Sequence, residues 1–156
     1  MTKMMRAILV DWLVEVQESF ELNHETLYTA VKILDLYMSE VKVAKEDLQL
    51  VGATAALIAC KIDERIPPCL DDFVYVCDDA YTREQIKTKE REVLATVGFD
   101  VGYPLSYRFV RRYGRVRMLF SGLKIPKRSL TWNWSIKGKK NCQNEMKNRQ
   151  TKRILL

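Results

Sequence analysis

Apolar residues recur along the first hundred or so positions at intervals of three and four, the spacing of a helix face and not the alternation of a strand. Met5, Ile8, Leu9, Trp12, Leu13, Val16 and Phe20 make one broad stripe. A second helix is predicted from about Glu25 to Ser39, with Leu27, Val31, Leu34 and Met38 on its inward face. A third, from about Lys45 to Glu64, is apolar all round, and Gly52, Ala53, Ala55, Ala56 and Ala59 allow neighbours close approach. Such a helix belongs at the centre of a bundle. Pro67 and Pro68 stop it, because proline offers no amide donor and clashes with the preceding turn. A short fourth helix is predicted near Leu70, with Asp71 and Asp72 favourably placed in its first turn. The fifth opens on a capping box, Thr82 with Gln85, and closes at Gly98. After Tyr113 the pattern stops: Pro126, Gly122, Gly138 and scattered Trp132 and Trp134 leave no sustained stripe, and 114–156 is predicted to be a largely disordered tail.

Charge sharpens that division. The net +6 of the 156-residue chain is the sum of an acidic front and a basic back: residues 1–113 carry −5, and residues 114–156 carry +11 with Glu145 as the one acid. The longest uncharged run, Leu48 to Cys60, is 13 residues, too short to cross a bilayer, and charges at Lys3, Arg6, Asp11, Glu15 and Glu18 break any signal-like apolar stretch. A soluble protein of a reducing, intracellular compartment is the expectation. Cys60, Cys69, Cys77 and Cys142 form no C-x-x-C pair and His24 is the one histidine, so zinc and thiol-redox spacings are missing and buried free thiols are expected. No cofactor is called for. With one histidine, no glycine-rich phosphate loop and no paired carboxylates, an enzyme is not expected.

Charged residues on apolar stripes need partners, because a lone buried charge is expensive. Asp35 lies on the inward face of the second helix and Arg6 at the start of the first, and the two are expected to pair inside the fold. Lys61 ends the uncharged run, and Glu90 falls on the stripe Ile86, Val93, Val97. One reading is a lysine snorkelling to water and a solvated glutamate. The other is a surface on which both stay unpaired until a second protein covers them. Trp12 and Glu15 face the same choice, since a helix apolar at nearly every angle from Ile8 to Val16 has surplus apolar surface for a partner.

"MRAILVDWLVEV" (Met5 to Val16), "LQLVGATAALIACKIDE" (Leu48 to Glu64), "FVYVCDDAYT" (Phe73 to Thr82) and "KEREVLATVGFD" (Lys89 to Asp100), in this order, resemble the N-terminal cyclin box of a mitotic B-type cyclin. The segment "ELNHETLYTAVKILDLYM" is most similar to the third B subtype, and the match covers about residues 4–113. The resemblance implies an all-α fold: a five-helix cyclin box over 1–103 with a central buried third helix, then an incomplete second box, its remnant at 104–113, and the basic tail at 114–156. It implies a regulatory subunit that binds and activates a cyclin-dependent protein kinase in mitotic or meiotic control. Lys61, Ile62, Glu64, Glu90, Leu94 and Phe99 would form the kinase-binding surface near the kinase's mobile activation helix. Met5, Ile8, Leu9, Trp12, Glu15, Leu48 and Gln49 would form the patch that docks Arg-x-Leu substrates or inhibitors, Glu15 taking the motif's basic residue, and Arg6 with Asp35 would be the family's internal ion pair.

The implied action is allosteric: such a subunit biases a kinase by its differential affinity for two kinase states. The family suggests the nucleus, with the cytoplasm second; the run "KGKK" is too short to decide. Two alternatives stand beside this. The basic tail with its tryptophans fits a nucleic-acid-binding, cyclin-like transcription factor fragment, against which the folded part is acidic. A truncated product without function, its apolar surface uncovered where the second box breaks off, is the other.

Overall fold

In the computed structural model, residues 2–121 are described, with side chains through Arg117. Helices α1 (Lys3–Ser19), α2 (His24–Glu40), α3 (Leu48–Asp63), α4 (Leu70–Val76), α5 (Arg83–Thr96) and α6 (Ser106–Ser121) follow in order, with no strand among the described residues. None of these helices is long and apolar enough to cross a membrane. Residues 1–112 make one compact unit; of the second, 113–156, the described part is the end of α6.

Local chemistry sets the starts. The Thr2 hydroxyl accepts from the Met5 amide at 3.2 Å to open α1. Thr82 and Gln85 exchange side-chain and backbone bonds at 3.3 and 2.7 Å to open α5. The cap of α2 comes from elsewhere: the Glu64 carboxylate, just past the end of α3, accepts from the Asn23 amide at 2.7 Å, Asn23 Nδ2 at 2.9 Å and the Thr26 hydroxyl. A carboxylate there also suits the positive end of the helix dipole. One turn on, the Thr29 hydroxyl donates to Asp63.

Helix α3 is the hub, every residue from Leu50 to Cys60 being buried, and α1, α2, α4 and α5 all pack on it. It begins at Leu48, later than expected, because residues 44–47 turn, with the Asp47 amide donating to the Ala44 carbonyl. The inward face of α2 is also rotated from the predicted stripe: Ala30, Ile33, Leu34 and Tyr37 are buried with Thr26 and Thr29, whereas Leu27, Val31 and Met38 lie at the margins. Two threonines can be buried because Asp63 and Glu64 satisfy their hydroxyls. The Tyr37 hydroxyl donates to Glu92 of α5. Its pKa is raised, first by burial and then by that carboxylate, while Glu92 is held below the usual carboxylate range by Lys89 first and Tyr37 second.

Two expectations need correction. The predicted tail begins too early: α6 continues through Gly114 to Ser121. One helical glycine costs only about 1 kcal/mol, and arginines are good helix formers. The rest of the predicted tail lies outside the described residues. The thiols also divide: Cys60 and Cys77 are buried, and burial pushes each up to about 12, but Cys69, at the start of α4, is exposed. Cys142 lies outside the described residues.

Gly52 marks the closest approach of α1 to the hub. A Cβ there would sit 2.8 Å from Leu9 Cδ1 and 3.5 Å from Trp12 Cζ3. Gly52→Val is expected to lower stability by about 1–3 kcal/mol, the usual range for an overpacked core, as read by urea unfolding.

Candidate functional site

Two surfaces collect the residues singled out by the sequence. The first lies where the last turn of α3 meets α5. Lys61 Nζ and Glu90 Oε1 are 2.5 Å apart, the lysine side chain 51% exposed and the glutamate 16%. The expectation that both charges wait unpaired is therefore corrected: α3 packs on α5, and that packing brings the two into an ion pair of their own. Of the other residues expected on this surface, Leu94 is half-buried, Ile62 exposed and Phe99 68% exposed. Phe99 follows Gly98, and both take positive φ, 58° and 69°. The Phe99 amide donates to the Leu94 carbonyl at 2.9 Å, closing the end of α5 and turning the ring outward. Glu64 does not share this face as a free group; its carboxylate is occupied in capping α2.

Lys61 is half exposed and can leave the pair toward water, whereas Glu90 is largely covered and needs a new partner when it does. Each charge would then be available for hydrogen bonds to another molecule, about 1.5–3 kcal/mol apiece.

The second surface runs along α1 and the start of α3. Leu9, Trp12 and Leu48 are buried, Met5, Glu15 and Gln49 half-buried, and Ile8 exposed. Three of the seven expected patch residues are thus core, packed under the seam that Gly52 allows. Trp12 carries a further signal: its Nε1 is buried with no hydrogen-bond acceptor, in a side chain only 6% exposed. Buried donors are seldom left so.

Arg6 and Asp35 pair through two bonds, Nε to Oδ1 at 2.7 Å and Nη2 to Oδ2 at 2.6 Å, which raises the arginine pKa. The pair lies at the margin between α1 and α2, each side chain about 40% exposed, and not inside the core as expected. Asp35→Ala is expected to lower stability by no more than about 1 kcal/mol, a drop of a few degrees in melting temperature.

Basic residues of α5 escaped the sequence reading. Arg83, Lys87 and Arg91 recur at intervals of four beside Glu90, a spacing that places them on one face. Among the described residues no group of three or more His, Cys, Asp or Glu is placed to hold a metal ion.

With this geometry in view, comparison with known proteins decides the family. The family "Cyclin, N-terminal domain" matches residues 1–102. The chain belongs to the cyclin family. Its relatives include the G2/mitotic-specific cyclin-B3 of Gallus gallus, 60% identical over 111 residues, which covers 71% of this chain and 28% of the relative. The protein of that name from Drosophila melanogaster is 55% identical over 131 residues, covering 84% and 22%. This cyclin thus spans about a quarter of the length of those relatives. A viral cyclin from herpesvirus saimiri shares the fold with a TM-score of 0.69 and 30% identity, over 81% of this chain and 53% of the viral one. The resemblance to a B-type cyclin of the third subtype, read from the motifs, agrees with these relatives, and the cyclin fold explains why one buried helix sits within a ring of others.

Proposed function

We propose that this cyclin chain is a regulatory subunit of mitotic or meiotic cell-cycle control that binds and activates a cyclin-dependent protein kinase. The observation that carries the reading is the Lys61–Glu90 ion pair where α3 meets α5, with exposed Ile62 next to Lys61 in sequence and Leu94 one helical turn after Glu90. An incoming kinase helix would take over both charges and cover the apolar side chains. Activation follows from a preference for one kinase conformation, since a ligand shifts an equilibrium only by its differential affinity. The relatives' names, G2/mitotic-specific cyclin-B3, support the cell-cycle setting. The nucleus, with the cytoplasm second, is proposed as its location. Co-precipitation of a cyclin-dependent kinase by the 156-residue chain tests the reading, together with its loss on substituting Lys61 and Glu90.

The surface along α1 and α3 is proposed to dock Arg-x-Leu segments of substrates or inhibitors. Exposed Ile8 and half-buried Met5 support it, as apolar surface left over on α1. Glu15 stands on the same helix to meet a basic side chain. Ile8→Ala removes the exposed apolar side chain and spares the core residues Leu9 and Trp12. A labelled Arg-x-Leu peptide is expected to bind the variant about tenfold more weakly by fluorescence anisotropy. Equal affinity for both proteins counts against the docking role.

A further inference from the structure

A pocket of about 430 Å³ opens beside the Lys61–Glu90 pair, between the last turns of α3, the Pro67–Leu70 approach to α4, and the first half of α5. Its floor is apolar, with Leu57, Pro68 and Leu70. Its walls carry Lys61, Arg83, Lys87 and Arg91 against a single acid, Glu90. The hollow is half open to solvent and sets this apolar floor beside the charges of α5.

Three of the four cations have acid partners, and two of those three pairs are open to water. Glu90 is held by Lys61. Arg83 reaches Asp71 at 3.2 Å, both side chains well exposed, and Lys87 reaches Glu84, whose side chain is 78% exposed. Pairs that open to water are easily exchanged. Arg91 makes no hydrogen bond or ion pair among the described residues. The spacing of Arg83, Lys87 and Arg91 lines them up along the pocket's α5 wall.

We propose that this pocket binds an acidic segment of a protein partner, its carboxylates on Arg83, Lys87 and Arg91 and an apolar side chain on Leu57, Pro68 and Leu70. Charge selects the occupant. The chain's own residues 114–156, with 12 basic residues and one acid, cannot supply the carboxylates, and a basic segment such as an Arg-x-Leu motif would be repelled. Arginine suits carboxylates in particular, since its planar fork matches both oxygens. The proposal does not depend on the kinase reading, and its test leaves Lys61 and Glu90 untouched.

The probe is an array of ten-residue peptides, each with one Leu or Ile flanked by two to four Asp or Glu, and a matched set with Asn and Gln in their place. The full 156-residue chain is expected to retain the acidic set at least tenfold above the amide set, with retention falling as salt is raised. Charge reversal by Lys87→Glu with Arg91→Glu is expected to abolish that preference, while circular dichroism and binding of the Arg-x-Leu peptide stay as in the parent. The milder pair Lys87→Gln with Arg91→Gln should give an intermediate loss and guards against misfolding of the reversed variant. The proposal is overturned if acidic and amide peptides bind alike, if the acidic preference survives both double variants, or if inorganic phosphate at the peptide's own concentration displaces it. Concentration-dependent self-association of the parent that charge reversal removes, with no peptide preference, would assign the pocket to a second copy of this chain and overturn it equally.

Discussion

Replacing Lys61 and Glu90 together by alanine is expected to reduce affinity for a cyclin-dependent kinase about 100-fold or more while leaving the fold intact. The stability side is small, because removing both partners leaves no unpaired charge behind. The binding side is larger, because truncating a hydrogen-bonded charge inside a covered interface costs roughly 2–5 kcal/mol, and even the lower end for both residues exceeds a hundredfold. Calorimetric titration of the purified kinase measures it, with thermal melting of the free chain as the control. Unchanged affinity with unchanged melting would remove this surface from the proposed function. A double variant that melts far below the parent would instead make the pair a structural strut.

Phe73→Ala is expected to have the largest effect on the free protein. The ring is fully buried and meets Phe20 edge-on with centroids 5.4 Å apart. Helix α4 is seven residues long, too short to persist in water on its own, and its buried residues are Phe73 and Val76. Phenylalanine truncation in a core costs about 3–5 kcal/mol, against a usual total of about 5–15 kcal/mol. For a unit of 112 residues this corresponds to a fall in melting temperature of roughly 10–25 °C. Loss of the α4 anchor should also expose the buried thiol of Cys77, one residue past the helix, to alkylating reagents that the parent resists. A variant that melts within a few degrees of the parent would show that α4 contributes little to the box.

The interior was legible in the sequence wherever burial follows hydropathy alone. The uncharged run of α3 is the buried hub, and the Thr82–Gln85 and Gly98 signals delimit α5. Legibility failed where a polar group is buried by a partner far along the chain. The inward face of α2 was misjudged because Thr26 and Thr29 count as polar until Glu64 and Asp63 come within reach, 38 and 34 residues away. The same distance hid the pairing of Lys61 with Glu90, 29 residues apart, although each was marked as out of place. Arg6 and Asp35 were legible as partners, but not as a pair at the margin, since charge complementarity carries no information about depth. The α6 helix continues a stripe at Phe109, Tyr113 and Val116 that was missed because Gly122 and Pro126 follow it so closely. Arg108 and Arg111 in its first turns bind Glu25 of α2, and Tyr107 stacks on Tyr28 with centroids 5.1 Å apart.

Phe99 is the second of two consecutive residues in the left-handed region, where a side chain with a Cβ is disfavoured by roughly 1–2 kcal/mol, and its ring stands in water. An isolated box therefore carries a conformational debt that a glycine at this position would cancel. On the proposed reading the debt is recovered only in an assembly, when the aromatic surface is desolvated. Selection for heat resistance alone would erase this residue, whereas selection for partnership would keep it.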